Sequence, residues 1–116
     1  MSEAMAADSP DFESTIMELL VLAGSARSSA LMALQQARAG EFNASAAHMA
    51  DSKEAVQQAH RIQTRLISLD EGCGKLPINL ITVHAQDHLM NAMVIQDLAD
   101  DMIELFRRQA QRETAL

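Results

Sequence analysis

Apolar residues recur along this chain at three- and four-residue steps, in three long stretches separated by two breaks, which predicts three helices and no strand. The first stretch carries Phe12, Ile16, Leu19, Leu20, Ala23, Ala30, Leu31 and Leu34. It opens at Ser9-Pro10-Asp11, a cap residue followed by proline at the first helical position and an acid in the first turn. Gly40 closes it, because glycine takes the left-handed conformation that ends helices at little cost. The second stretch runs from about Phe42 to Leu69, with Ala55, Ala59, Ile62, Leu66 and Leu69 on one face and Asp51, Lys53, Glu54, Gln58 and Arg61 on the other. The link at Gly40-Glu41 is so short that the second helix must fold back antiparallel to the first. Asp70 to Pro77, with two glycines and a proline, reads as a loop. The third helix then runs from about Ile78 to Arg112 without Gly or Pro. The predicted fold class is all-α, a three-helix antiparallel bundle over residues 9–112. Residues 1–8 and the last four lie outside it and are expected to be loose. No internal repeat or low-complexity tract interrupts this organisation.

The third helix has a wider apolar surface than a surface helix needs. With Asp87 as origin and about 100° per residue, Leu80, Val83, Met90, Val94, Leu98 and Leu105 all fall within about 60° of it. Ile81, Ala92, Ile95, Ala99, Ile103 and Phe106 extend the arc to about 160°, roughly twice the usual stripe of about 100°. A helix of this kind faces two sets of partners. Two neighbouring helices supply one set, and other copies of the chain are expected to supply the second.

Composition narrows the class further. At 116 residues the chain is one domain, and its eight Met, three Phe and absence of Trp and Tyr favour helix over sheet. A net charge of −7 argues against a nucleic-acid or anionic-lipid partner. Cys73 is the only cysteine, so no intrachain disulfide forms and no Cys-rich zinc site exists. It sits in the Gly-rich loop and reads as a bystander. The acidic N-terminus has no basic region followed by an apolar stretch, and no unbroken apolar run approaches the ~20 residues that span a bilayer, so a cytoplasmic location is expected.

The candidate chemistry lies at the start of the third helix, in Val83-His84-Ala85-Gln86-Asp87-His88-Leu89-Met90. An ionised Asp87 in an apolar seam must be neutralised, paired or metal-bound. One solution is an intrachain partner, Arg61 or Arg65. The other is a symmetric trimer that brings three Asp87 carboxylates to one axis, a donor set suited to a hard cation such as Mg²⁺. His84 and His88 admit three readings. Their spacing suits helical zinc ligands, although Ala85 stands where the zincin pattern places Glu. Either could act as a general base, but no Ser, Cys or Lys announces itself as the nucleophile. A neutral imidazole can also be the nucleophile itself and hold a phosphoryl group, which needs no Walker loop.

The octapeptide resembles the signature of the enzyme IIA component of the lactose/cellobiose/chitobiose class of the phosphoenolpyruvate-dependent phosphotransferase system. The resemblance extends through Gly24-Ser25-Ala26-Arg27-Ser28, Ala39-Gly40 and Ala59-His60-Arg61-Ile62-Gln63-Thr64, covering about residues 12 to 110. It implies a nine-helix homotrimer of three-helix subunits. It further implies that His84 takes a phosphoryl group on its Nε2 (tele) nitrogen from the phosphocarrier HPr. His84 then passes the group to a cysteine of the enzyme IIB component, which phosphorylates the sugar entering through the membrane component, enzyme IIC. A β-linked disaccharide such as cellobiose, chitobiose or lactose is the implied cargo. Asp87 matches the family's metal-binding Asp, shared by three subunits around one Mg²⁺ per trimer, and Gln86 and His88 match neighbours lining the active-site cleft. Leu22 departs from the pattern, standing where a polar residue is expected before Gly24-Ser25. No Lys or Arg lies within four residues of His84, which suits a carrier that must release its cargo.

Overall fold

A computed structural model describes residues 10–115 and gives three helices: α1 (Pro10–Arg38), α2 (Phe42–Asp70) and α3 (Leu80–Ala115). The expected cap at Ser9 and the expected loose segment 1–8 lie outside the described residues. The described chain is all-helical, and the helices pack into a rod of 62 × 24 × 20 Å.

The α1–α2 turn follows from Gly40. Its φ of +83° sets a left-handed step. The Glu41 N–H then reaches back to the Gln36 carbonyl (2.8 Å) and the Gly40 N–H to Ala37 (3.0 Å), the paired closure of a Schellman motif. At the other end of α2, Asp70 organises the loop. Its carboxylate accepts the backbone N–H of Leu76 (2.9 Å) and of Gly74 (3.3 Å), while Glu71 and Gly72 both adopt positive φ to turn the chain. The third helix begins at Leu80, two residues later than the apolar pattern alone predicts. The reason is a reciprocal cap: Asn79 Oδ1 accepts the Thr82 N–H (3.0 Å) and Thr82 Oγ1 accepts the Asn79 N–H (2.9 Å).

Of the three helices, α1 and not α3 makes the close approach to both others. Its buried face is Phe12, Ile16 and Leu19 at one end, then Ala23, Ala26, Ala30, Ala33 and Ala37. Methyl side chains let the backbones come near. Two buried serines of α2 use that closeness: Ser45 Oγ donates to the Ala33 carbonyl (2.8 Å) and Ser52 Oγ to the Ala26 carbonyl (2.7 Å). Leu22 is half-buried against the core cluster around Leu19, Ala59 and Leu89, so an apolar residue there serves the subunit's own packing.

An eighteen-residue window within Asp11–Arg38 averages a hydropathy of 1.3, so by length and composition α1 is apolar enough to cross a membrane. Glu13, Glu18 and Arg27 interrupt its apolar runs but leave the average high. In the structure the apolar residues Leu19, Ala23, Ala26, Ala30 and Ala33 are fully buried against α2 and α3, the position of a core helix.

Two apolar faces are present on α3. One, formed by Ala85, Leu89, Ala92, Ala99 and Ile103, is buried within the subunit. The other, formed by Leu80, Val83, Met90, Val94, Leu98 and Leu105, is 43% to 86% exposed in the single chain.

Candidate functional site

The octapeptide occupies the first turns of α3, which the Asn79–Thr82 cap holds in register with the Asp70-bound loop. Ala85 and Leu89 point inward and are fully buried, fixing the rotation of the helix. That rotation decides where every polar side chain of the motif lies.

His84 and His88 share one flank. Their rings meet edge to face, with centroids 4.6 Å apart and planes at 85°. His84 is exposed and His88 half-buried, so the inner ring steadies the outer one. No hydrogen bond ties His84 to a Ser, Thr or Cys among the described residues, which leaves the general-base reading without a nucleophile. Nor does any third His, Cys, Asp or Glu join the pair among the described residues, so one chain lacks the ligands of a tetrahedral zinc site.

Asp87 is exposed in the middle of the open apolar stripe, with Val83 before it and Met90 after it. The ion pairs among the described residues are Lys53–Asp100, Lys75–Glu71, Arg107–Glu104 and Arg108–Glu104. Asp87 belongs to none of them, so the intrachain pairing with Arg61 or Arg65 does not form. A single chain supplies one carboxylate at this point, and any cation held here needs donors from other copies.

Gln86 projects from the opposite flank to His84, since two residues along a helix lie about 160° apart. It is half-buried, and its Oε1 accepts a 2.6 Å hydrogen bond from Nε2 of Gln63 on α2. Within one chain, then, His84 and His88 come together, Asp87 stands between the flanks, and Gln86 turns away toward α2. Gln86 and Asp87 line a cleft of about 310 Å³ with Phe12, Leu66, Leu76 and Val83, which His84 does not enter. Sequence reasoning gave Gln63 no role. Its place on α2 one turn before Leu66 was the available signal, but the facing residue on α3 depends on the register between helices.

The fold is a three-helix, all-helical one whose third helix opens on the His84-to-His88 motif. The family described as "PTS system, Lactose/Cellobiose specific IIA subunit" matches residues 14–107, and the chain belongs to it. It is therefore a phosphotransferase-system component. Among its relatives, the N,N'-diacetylchitobiose-specific EIIA component of Escherichia coli (strain K12) is 43% identical over 101 residues, 87% of each chain. The cellobiose-specific enzyme IIA of Bacillus anthracis superposes with a TM-score of 0.83 at 36% identity, covering 95% of this chain and 98% of that one. A solution structure of the E. coli IIA(Chitobiose)–HPr complex matches with a TM-score of 0.75 at 41% identity, covering 88% of this chain and 99% of that one.

Proposed function

We propose that this chain carries a phosphoryl group on Nε2 of His84, between phospho-HPr and the cysteine of an enzyme IIB component, in the cytoplasmic relay that feeds a β-linked disaccharide through enzyme IIC. The exposed His84 imidazole, steadied by His88 at the border of an uncovered apolar stripe, is the observation that carries the reading. The E. coli relative solved with HPr supports the donor, and the chitobiose- and cellobiose-specific relatives support the sugar class. The lone pair of the neutral imidazole forms the new P–N bond while the donor's bond to phosphorus breaks and the donor keeps that electron pair. The reverse displacement by a thiolate returns His84 to its starting state. Such transfer asks mainly for positioning and charge stabilisation.

Residues 9–112 form the working unit of this reading, as a homotrimer of nine helices with the α3 stripes facing one another. The exposed Leu80, Val83, Val94, Leu98 and Leu105 support that arrangement, since three such stripes would cover each other. Asp87 from each copy would then meet on the axis, an all-oxygen set suited to Mg²⁺, which would neutralise three converging carboxylates. Gln86 of one subunit would face the His84 flank of the next, a reading supported by their positions on opposite sides of α3.

Incubation with phosphorylated HPr tests the proposal. The chain should gain an acid-labile, base-stable adduct that His84→Ala abolishes without loss of helix. Undiminished labelling of His84→Ala would refute the assignment, and metal uptake without labelling would leave a metal-binding bundle instead.

A further inference from the structure

We infer that Gln63 is a positioning residue for phosphoryl transfer: it fixes which end of the Gln86 amide faces the transferred group. This rests on the proposed function: on His84 being the phosphoryl acceptor and on the trimer that brings Gln86 of one subunit to the His84 flank of the next.

The argument begins with donor sense. Gln63 Nε2 lies 2.6 Å from Gln86 Oε1 and 3.8 Å from the sulfur of Met90. A thioether sulfur accepts hydrogen bonds and donates none, so the nitrogen end of Gln63 faces both groups. Gln86 must then present its oxygen to Gln63, and its own NH₂ is directed away. That NH₂ has no hydrogen-bond partner among the described residues, and no buried side-chain nitrogen or oxygen there is left unsatisfied, so it is reachable from solvent. The amide sits in the wall of the cleft beside Val83 and Asp87.

A phosphoryl group in transfer spreads negative charge over three oxygens and is stabilised by donors already aimed at it. Rotated by 180°, the Gln86 amide would instead offer an oxygen and repel that charge. The hydrogen bond from Gln63, whose donor end also faces the Met90 sulfur, therefore decides whether this side chain helps or hinders. No lysine or arginine within four residues of His84 does the same work, which leaves a neutral amide as a donor that favours the group without trapping it. Gln86 exchanges no proton in the step. The bonds made and broken are those at His84 and the donor.

Single-turnover labelling by phospho-HPr tests this, with the mass in solution and the helix content followed alongside. Gln63→Leu should lower the maximal rate about five- to tenfold, the effect of one lost hydrogen bond, with little change in the half-saturating HPr concentration. In a Gln86→Leu background the same change should do nothing more, because Gln63 acts through Gln86. A donor–acceptor exchange separates this from packing. Gln63→Lys still donates to Gln86 Oε1 and should restore most of the rate. Gln63→Glu only accepts, turns the amide round and should be at least as slow as Gln63→Leu. The inference is overturned by wild-type rates in Gln63→Leu, additive losses in the double variant, or Gln63→Glu outpacing Gln63→Lys. If wild type fails to label at His84 at all, the proposed function falls and takes this role with it.

Discussion

His84 is held by very little, and that suits the proposed role of a residue approached by both donor and acceptor. Its fixed contact is the edge-on ring of His88, a type of pairing worth about 0.5–1.5 kcal/mol. His88→Ala should therefore slow labelling by no more than about tenfold and leave the adduct on His84, checked by mass spectrometry of the labelled peptide. A complete block would mean that His88 takes part in the chemistry. Further along α3, Glu104 bonds Arg108 and Arg107, both at 2.9 Å, and these hydrogen bonds hold its carboxyl below the ordinary value of 4.5. A depressed carboxylate favours the folded state above its unfolded pKa, and the gain disappears as pH falls through the folded value. The group is solvent-exposed, so salt should weaken the effect. Arg108→Gln should bring the Glu104 midpoint back toward 4.5 in an NMR titration, and an unmoved midpoint would show that the pair does not form in solution.

The elements owe their spacing to small residues, and here the sequence is legible only in part. Apolar periodicity locates Phe12, Ile16, Leu19, Ala59 and Leu66 in the core and places both faces of α3, because helical repeats are local. Ser45 and Ser52 carry polar side chains that the periodicity does not single out, yet both are fully buried, because their hydroxyls find α1 carbonyls that only tertiary packing brings near. Ser52 also accepts a 2.9 Å hydrogen bond from Gln96 Nε2, joining all three helices at one level. For the same reason the motif residues were identifiable in the sequence, whereas the bond from Gln63 to Gln86 was not. Ser52→Ala removes both hydrogen bonds and should cost about 2 kcal/mol in urea unfolding. Ala30→Leu should cost about 1–3 kcal/mol, since Ala30 is fully buried where the helices approach. A neutral Ala30→Leu would mean that the helices can separate freely at this level.

At the scale of the whole molecule, α3 has one apolar face buried in the subunit and one exposed. The proposed trimer places three Asp87 carboxylates together, and their repulsion opposes assembly unless a cation or protons offset it. Asp87→Leu should give an assembly at least as stable as wild type, since apolar replacement of a buried charge cluster is often neutral or favourable by about 1–4 kcal/mol. EDTA should lower the wild-type melting temperature at neutral pH and leave the variant unmoved. Dissociation of the Leu variant in sedimentation equilibrium would place Asp87 off the axis. The separation of the two faces carries one more consequence. Ala85, Leu89, Ala92, Ala99 and Ile103 close the core without using the outer stripe, so in the proposed trimer folding and association would be linked through mass action and would not be a single event. The melting temperature should then climb with protein concentration and level off toward a constant monomer value on dilution. In the cell, the supply of this one chain would itself set how much of the relay is assembled.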